Sequence, residues 1–365
     1  MDSWEKALRV CRPQLPALEK LWPGLEDIWA RGWVSNFGPV HEELERRLSA
    51  RLGAPHLALT STGTSALQLA AIALGLTGEV ITTPFTFPAT VNALRLAGAT
   101  PVFCDIEPDT LMLDVAQIET AISGRTCGIA PVHLFGGAVR VDAIDSVAHR
   151  HGLRVLYDAA HAFGVTFQGR PITDFGHASA LSFHATKIFH TIEGGAVAIG
   201  DPVTRARILS LRNHGIGPDG FDELGTNAKL NEIQALIGLL LLDVIDIEIA
   251  ARREVDAHYR ERLADRPGIR LMPPQPEVGR NYAFFPIQVD ESGFGRDATA
   301  TVAQMADQGI HARQYFPYLC RPEALKGRFP AAERAAATTI CLPIDGTMTE
   351  ADVERVCNEL QPLAR

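Results

Sequence analysis

Residues 181–195 read Leu-Ser-Phe-His-Ala-Thr-Lys-Ile-Phe-His-Thr-Ile-Glu-Gly-Gly, and this stretch decides how the rest of the chain is interpreted. The apolar run over residues 179–183 predicts the end of a buried strand, after which polar side chains gather around Lys187. Apolar neighbours disfavour the charged form of an amine, and the neutral form is the one that attacks a carbonyl carbon. Lys187 is therefore a candidate catalytic group, although an exposed loop position is the commoner interpretation of a single lysine.

The composition is that of a globular protein long enough for two domains. The chain has 365 residues, 46% of them hydrophobic, six scattered cysteines and a formal net charge of −9. No Cys-x-x-Cys pair occurs, so neither a metal site nor a disulfide framework is expected. The negative charge argues against nucleic-acid binding by the whole surface. We find no membrane-length apolar run and no secretory signal, which predicts a cytoplasmic protein without membrane segments.

Predicted strands and helices alternate over residues 57–199, with short connections between them. This order predicts an α/β fold with a mainly parallel sheet that helices cover on both faces. Ligands of such sheets bind beyond the carboxyl ends of the strands. Polar or aromatic residues follow the predicted strands at Phe87, Asp105, His133, Asp158 and Lys187. We therefore expect a site at that edge of the sheet.

The chain after this sheet predicts a smaller α+β domain at the carboxyl terminus. A long, mostly apolar helix over residues 231–263 is expected to link the two parts. We place an amino-terminal arm and the large domain in residues 1–245, and the small domain in residues 246–365. The arm, residues 1–35, contains several tryptophans and prolines and is expected to cap the large domain.

Thr62-Gly63-Thr64 stands between a short predicted strand and a helix rich in alanine and leucine. The first turn of a helix carries unpaired N–H groups and a positive dipole end, and glycine lets a phosphate approach. Taken alone, the stretch is more typical of an ordinary helix that begins at a threonine or serine cap. A phosphate cradle becomes the better interpretation only together with Asp158 and Lys187.

Asp158 and Lys187 each follow a predicted strand, and this pair suits pyridoxal 5′-phosphate (PLP). A carboxylate keeps the pyridine nitrogen protonated, so that the ring can act as an electron sink, and a lysine holds the cofactor as a Schiff base. The third requirement is a phosphate cradle, which Ser182 and the turn at Thr62-Gly63-Thr64 would supply. A buried aspartate beside an unrelated lysine explains fewer of these features.

The sequence resembles the DegT/DnrJ/EryC1/StrS sugar aminotransferases, PLP enzymes of aspartate aminotransferase fold type I. The resemblance runs along nearly the whole chain, with the motifs in the family's order. They lie at residues 38–39, 61–67, 83–90, 101–106, 131–136, 182–187, 193–195, 212–215 and 225–229. Related sugar dehydratases of this fold have histidine where this chain has Lys187, so the resemblance implies transamination.

The resemblance also implies a role for each matched residue. Lys187 would bind the cofactor and act as general base, and Asp158 would pair with its ring nitrogen. Further cofactor contacts are implied for Thr62, Gly63, Thr64, Phe87, His161, Ser182 and Asn227. His161 replaces the family's commoner glutamine near the cofactor hydroxyl, and it can make the same hydrogen bond. Asn227 matches an asparagine that reaches the phosphate from the neighbouring subunit, so a homodimer with shared active sites is expected.

The substrates implied by the resemblance are L-glutamate and a nucleotide-linked 4-keto-6-deoxy sugar, with dTDP as the nucleotide. The cofactor would alternate between PLP and pyridoxamine phosphate, and the product would be a 4-amino-4,6-dideoxy sugar. Substrate contacts are expected at His184, His214, Lys229 and Tyr315.

Two alternatives stay open at this point, while the intact Asp158 and Lys187 disfavour a third, a structural protein on an inactivated fold. A 3-keto-sugar or aminocyclitol aminotransferase would carry the same motifs, because none of them reports which carbon is aminated. A non-catalytic PLP-binding regulator would need a DNA- or partner-binding module, and the chain shows neither a basic helix nor an appended domain.

Overall fold

A seven-stranded sheet forms the centre of the computed structural model, which describes residues 7–218, 220–221 and 223–362. In spatial order its strands are His56–Thr60, Gly195–Ile199, Ala178–Ser182, Arg154–Asp158, Thr126–Ile129, Glu79–Thr82 and Thr100–Phe103. Gly195–Ile199 runs antiparallel to both of its neighbours, while the other pairs are parallel. The predicted α/β fold with a mainly parallel sheet is confirmed.

Helices cover both faces of this sheet, so its strands are buried on two sides. Along Arg154–Asp158, Val155 and Tyr157 pack into one apolar cluster, and Leu156 packs into another. This explains why the strands read as continuous apolar runs and not as alternating patterns. The helices in the described chain before residue 243 are Leu18–Arg31, Pro39–Leu52, Gly63–Ala73, Pro88–Leu96, Ile118–Ala121, Val141–His151, Pro202–Leu211 and Glu232–Leu242.

A four-stranded antiparallel sheet lies in the carboxyl-terminal part, in the spatial order Ile269–Leu271, Phe285–Val289, Thr339–Leu342 and Arg313–Gln314. The helices of this part are Ile245–Leu263, Glu291–Phe294, Ala298–Asp307, Pro330–Thr338 and Glu350–Glu359. Further short strands are Leu8–Arg9, Thr166–Phe167, Arg170–Pro171, Ile216–Gly217, Gly220–Phe221, Val278–Gly279 and Ile310–His311. Leu8–Arg9 of the arm pairs with Ile310–His311, so the arm reaches the carboxyl-terminal part.

Two details differ from the sequence-based expectation. The predicted helix over residues 231–263 is two helices, interrupted at Asp243 and Val244. The first packs against Leu18–Arg31 and Pro39–Leu52, and the second packs against Glu350–Glu359, so the chain changes its packing partners at the break. The arm contains a full helix, Leu18–Arg31, which includes Pro23. The division into domains at residue 245 stays a prediction.

Asp105 ties the central sheet to the carboxyl-terminal part. Its Oδ2 accepts the N–H of Ala331 at 2.9 Å, and its Oδ1 accepts the N–H of Ala332 at 2.8 Å. Both donors belong to the first turn of the helix Pro330–Thr338, whose N–H groups have no partner within the helix. This residue at a strand end is therefore a helix cap between two parts of the fold.

Among the described residues, no helix is both long enough and apolar enough to cross a membrane.

Candidate active site

A cavity of about 800 Å³ opens beyond the carboxyl ends of the central strands. The predicted site residues that line it are Thr62, Gly63, Thr64, Phe87, Asp158, His161, Ser182, His184, Lys187 and Tyr315. Those that do not line it in their own chain are His214, Asn227 and Lys229. The cavity therefore lies at the edge of the sheet where the sequence predicts a site, because parallel strands bring their carboxyl ends to one side.

Lys187 lies on a tight loop between two neighbouring strands of the sheet. Its N–H donates to the carbonyl of His184 at 2.8 Å, and Nζ lies 5.9 Å from the centroid of the Phe284 ring. Burial lowers the pKa of the Lys187 amine, and the nearby Cys11 and Asp158 act in the opposite direction. The loop thus presents to the cavity an amine that loses its proton more readily than an exposed lysine does.

Asp158 ends the strand Arg154–Asp158 and is buried at the base of the cavity. Its Oδ2 accepts the hydroxyl of Thr90 at 2.6 Å, and its Oδ1 accepts the N–H of Ala160 at 3.0 Å. Burial raises the pKa of this carboxyl, although Thr90, Ala160 and the charge of Lys187 act to lower it. A buried carboxylate in this state is stabilised by any cationic group that enters the cavity.

Thr90 was not singled out from the sequence. Its hydroxyl lies 2.8 Å from that of Thr86, and both side chains are buried. A carboxylate can only accept, so Thr90 donates to Asp158, and Thr86 then donates to Thr90. Thr90 stands 68 positions before Asp158 in the chain. No local sequence signal reports that contact.

The helix Gly63–Ala73 points its amino terminus at the cavity. The Thr62 hydroxyl accepts the N–H of Ser65 at 3.0 Å, and the Ser65 hydroxyl accepts the N–H of Thr62 at 3.1 Å. Thr62 thus caps the helix by accepting the N–H of Ser65, and the N–H groups of Gly63 and Thr64 take no part in this capping hydrogen bond. A Cβ on Gly63 would lie 2.6 Å from the Cβ of Ser182, so only glycine allows this approach. An anion fits this corner, between a helix amino terminus and a serine hydroxyl.

Phe87 and His161 line the cavity above this base. Phe87 is 57% exposed, which leaves its ring available to an aromatic ligand. His161 is buried, and its Nδ1 accepts the N–H of Phe135 at 3.3 Å. Burial lowers the pKa of His161 well below its ordinary value, with a further contribution from Lys187. The neutral ring therefore carries its proton on Nε2 and can donate a hydrogen bond.

Two of the four expected substrate contacts lie in the cavity. His184 lies at the start of the loop that carries Lys187, with Nδ1 at 2.7 Å from the Thr186 hydroxyl and Nε2 at 3.5 Å from a carboxylate oxygen of Glu193. Tyr315 packs against Phe284, with 5.3 Å between ring centroids. The hydrogen bonds of His184 hold the local turn, so a substrate role for it stays a prediction.

The remaining three predicted residues lie on one segment outside their own cavity. Asn227 is exposed and forms a bridge with Asn213, whose side-chain oxygen accepts Lys229 Nζ at 3.1 Å. His214 is exposed on the same segment. Within this segment, residues 219 and 222 lie outside the described part. Asn227 and His214 thus present polar groups at the surface of the described chain.

Apart from Tyr315, the residues that the carboxyl-terminal part contributes to the cavity wall were not predicted from the sequence. Arg313, Gln314 and Tyr318 line the cavity from the edge strand Arg313–Gln314 and the turn after it. This strand has two residues, and strand periodicity needs at least four to be recognised. The sequence contains no signal that this strand faces the central sheet.

With this geometry established, comparison with known proteins decides the family. The model of the DegT/DnrJ/EryC1/StrS aminotransferase family matches residues 19–361. The chain belongs to this family. The prediction made from its motifs is confirmed, and the protein is an aminotransferase.

Similar proteins cover nearly the whole length of this aminotransferase. The dTDP-4-amino-4,6-dideoxy-D-glucose transaminase of Shigella dysenteriae is 38% identical over 98% of this chain and 100% of its own. The Escherichia coli protein of the same name is 38% identical over 96% of this chain and 97% of its own. A crystal structure of DesI in the presence of its TDP-sugar product has a TM-score of 0.93 and 38% identity, covering 98% of this chain and 93% of that one.

Proposed function

We propose that this aminotransferase uses PLP to move the amino group of L-glutamate to a dTDP-linked 4-keto-6-deoxy hexose, giving the 4-amino-4,6-dideoxy sugar. The observation that carries the proposal is a half-buried lysine, Lys187, and a buried carboxylate, Asp158, in one cavity with a helix amino terminus. The names of the 38% identical relatives and the sugar product of DesI support the choice of sugar.

The cavity fits PLP at three points. The N–H groups of Gly63 and Thr64, with the Ser182 hydroxyl, would bind the phosphate. Asp158 would pair with the protonated ring nitrogen, which removes the cost of burying an uncompensated carboxylate. Lys187 supplies the amine. When bound, PLP supplies an electron sink that lets an amino acid release its α-proton.

Lys187 has the properties of the proton carrier. Burial favours its neutral form, so it can take the α-proton of the amino donor. In the second half of the reaction the same amine would deliver a proton to carbon 4 of the sugar. Phe87 would cover the ring face, and the Nε2–H of His161 would donate to the ring hydroxyl.

The segment with Asn227 and Lys229 would complete the active site of a second subunit. Asn227 is exposed and does not line the cavity of its own chain, which is why the proposal assigns it to the active site of a partner in a homodimer. An exposed apolar surface also exists for such an interface: Trp22 and Trp29 on the helix Leu18–Arg31 are 61% and 66% exposed. A cytoplasmic location stays a prediction from the sequence.

Mixed dimers test the shared site. Each hybrid of a Lys187→Ala chain with an Asn227→Ala chain would contain one intact site, and random mixing makes about half of the dimers hybrid. Activity should therefore return to about a quarter of the wild-type value. If Asn227 instead belongs to the active site of its own chain, the activity of the mixture should not exceed the average activity of the two parent variants.

Product analysis tests the reaction itself. The protein would be incubated with PLP, L-glutamate and dTDP-4-keto-6-deoxy-D-glucose, and the amine would be located by NMR. The proposal expects an amine at carbon 4, formed by wild type and by the surface control Lys326→Ala, but not by Lys187→Ala. An amine at carbon 3 would contradict the assignment of carbon 4. Undiminished turnover of Lys187→Ala would contradict the whole mechanism.

A further inference from the structure

Residues 226–229, which we call the presenting segment, carry the exposed Asn227 and are fixed to the chain around Arg212. The carbonyl of Arg212 accepts the N–H of Ala228 at 3.0 Å, and the carbonyl of Leu211 accepts the N–H of Thr226 at 2.8 Å. Ala228 is buried, although Asn227 just before it is exposed. The backbone on either side of Asn227 is therefore held by residues 211 and 212.

The guanidinium of Arg212 is buried and contacts three other parts of the chain. One of its nitrogens donates to the carbonyl of Leu59 at 2.5 Å and to a carboxylate oxygen of Glu45 at 3.2 Å. Its carbon lies 4.6 Å from the centroid of the Phe37 ring. A planar guanidinium can donate within its plane and pack its face on a ring at the same time, which an ammonium group cannot do.

The strand that Arg212 contacts leads into the predicted phosphate cradle of the same chain. Leu59 lies in the strand His56–Thr60, and the cradle begins at Thr62. Between them, the N–H of Ser61 donates to the carbonyl of Ala228 at 2.8 Å. The presenting segment is therefore fixed on both sides, and its exposed Asn227 side chain is left for a group outside its own cavity.

Arg205 gives a matched comparison within the helix that ends just before Arg212. Its guanidinium donates to the carbonyl of Leu57 at 3.0 Å and to Glu45 at 2.9 Å. Both arginines thus bind one carbonyl of the same strand and the same carboxylate. Arg212 differs in that its own carbonyl also accepts a hydrogen bond from the presenting segment. Arg205 therefore separates support of the strand from support of the segment.

We infer that Arg212 is a positioning residue for the active site of the second subunit, because it fixes the backbone that presents Asn227 and Lys229 there. This inference rests on the proposed function, in that the presenting segment serves the cavity of the partner. Its consequence is a direction: loss of the Arg212 side chain should damage the site whose Lys187 belongs to the other chain.

Two hybrid dimers with the same two substitutions test this direction. In the first, a Lys187→Ala chain is paired with an Arg212→Met chain, so the one site with a lysine receives its presenting segment from the chain that keeps Arg212. In the second, one chain carries both substitutions and its partner is wild type, so the one site with a lysine receives the altered segment. Different affinity tags on the two chains allow each hybrid to be purified.

The first hybrid should keep about half of the wild-type activity per dimer, since one of its two sites is intact. The second should be about tenfold less active than the first, because the contact that Asn227 makes with an anion would be displaced. Its dissociation constant for PLP should rise by a similar factor, measured through the absorbance of lysine-bound cofactor, which only the site with Lys187 forms.

Two further variants control this comparison. Arg205→Met in place of Arg212→Met should leave the two hybrids within about twofold of each other. Arg212→Lys keeps the charge and loses the planar donors, so it should give a smaller difference in the same direction. It also provides the test if Arg212→Met does not fold, although Glu45 keeps its hydrogen bond from Arg205 in that variant.

Equal activities in the two hybrids would overturn the inference. A loss of stability alone would affect both hybrids alike, because they contain the same substitutions. A larger loss in the first hybrid would assign Arg212 to the site of its own chain and would also overturn it. The hybrid of Lys187→Ala with Asn227→Ala tests the proposed function separately: if it is inactive, the shared site is wrong, and the inference falls with it.

Discussion

Replacing Thr90 with valine would test how the fold holds Asp158. The substitution keeps the volume of the side chain and removes the hydroxyl that donates to the carboxylate at 2.6 Å. A hydrogen bond to a charged group is worth about 1.5–3 kcal/mol. Since each pKa unit corresponds to 1.36 kcal/mol, the pKa of Asp158, already raised by burial, should rise further by about 1–2 units.

The consequence should appear in the cofactor. A weaker negative charge at Asp158 holds the proton of the ring nitrogen less firmly, so Thr90→Val should lose about 10- to 100-fold in kcat. The pH at which the absorbance of bound PLP changes should also be lower in Thr90→Val than in wild type. Thr90→Ser keeps the hydroxyl and should stay within about threefold of wild type.

The assay measures kcat, the dissociation constant of PLP and the pH titration of the bound cofactor in each variant. Thr86→Val is the matched control, because it removes the hydroxyl that is hydrogen-bonded to Thr90 and does not remove the hydrogen bond to the Asp158 carboxylate. It should have a smaller effect than Thr90→Val. Wild-type turnover and an unchanged titration in Thr90→Val would refute the role assigned to this hydroxyl.

Three further predictions concern acid stability, the contact between the two parts of the fold, and the histidine near the cofactor. Burial alone would raise the pKa of Glu45, but hydrogen bonds and charges from His41, Arg212 and the Leu59 amide lower it from 4.5 to about 2. Glu45 should therefore contribute about 3 kcal/mol to the free energy of unfolding above pH 4.5, and this contribution should be lost as the pH falls toward 2. The free energy of unfolding of Glu45→Gln, measured with denaturant, should depend less on pH in this range than that of wild type. Asp105→Ala should cost about 2–4 kcal/mol in the same unfolding assay, and full stability would exclude it as a cap. His161→Gln should keep kcat within about fivefold, whereas His161→Leu should lose more, and equal activities would deny the donor role.

Much of the site could be predicted because it depends on topology. Each parallel strand ends at the same edge, so residues such as Asp158 and Lys187, far apart in sequence, are brought to one cavity by strand order alone. The role of Gly63 could be predicted for a similar reason, since the turn between the strand and the helix brings its backbone close to Ser182.

What the sequence did not predict depends on contacts between distant side chains. Thr90 meets Asp158 across 68 positions, and Arg313 reaches the cavity from a second sheet. The break at Asp243 was hidden because the apolar pattern continues through it, and only the packing partners change. Asp105 looked like a site residue, since a carboxylate at a strand end has the same local signal whether it meets a ligand or caps a helix.

A single spectroscopic titration tests the central claim most directly. The purified protein would be mixed with PLP, and its absorbance recorded before L-glutamate, after L-glutamate, and after dTDP-4-keto-6-deoxy-D-glucose. We expect a band of lysine-bound cofactor that L-glutamate abolishes and the keto sugar restores, with no such band in Lys187→Ala. A wild-type protein that forms no band, or a band that the sugar does not restore, would contradict the assignment of Lys187 and of the substrate.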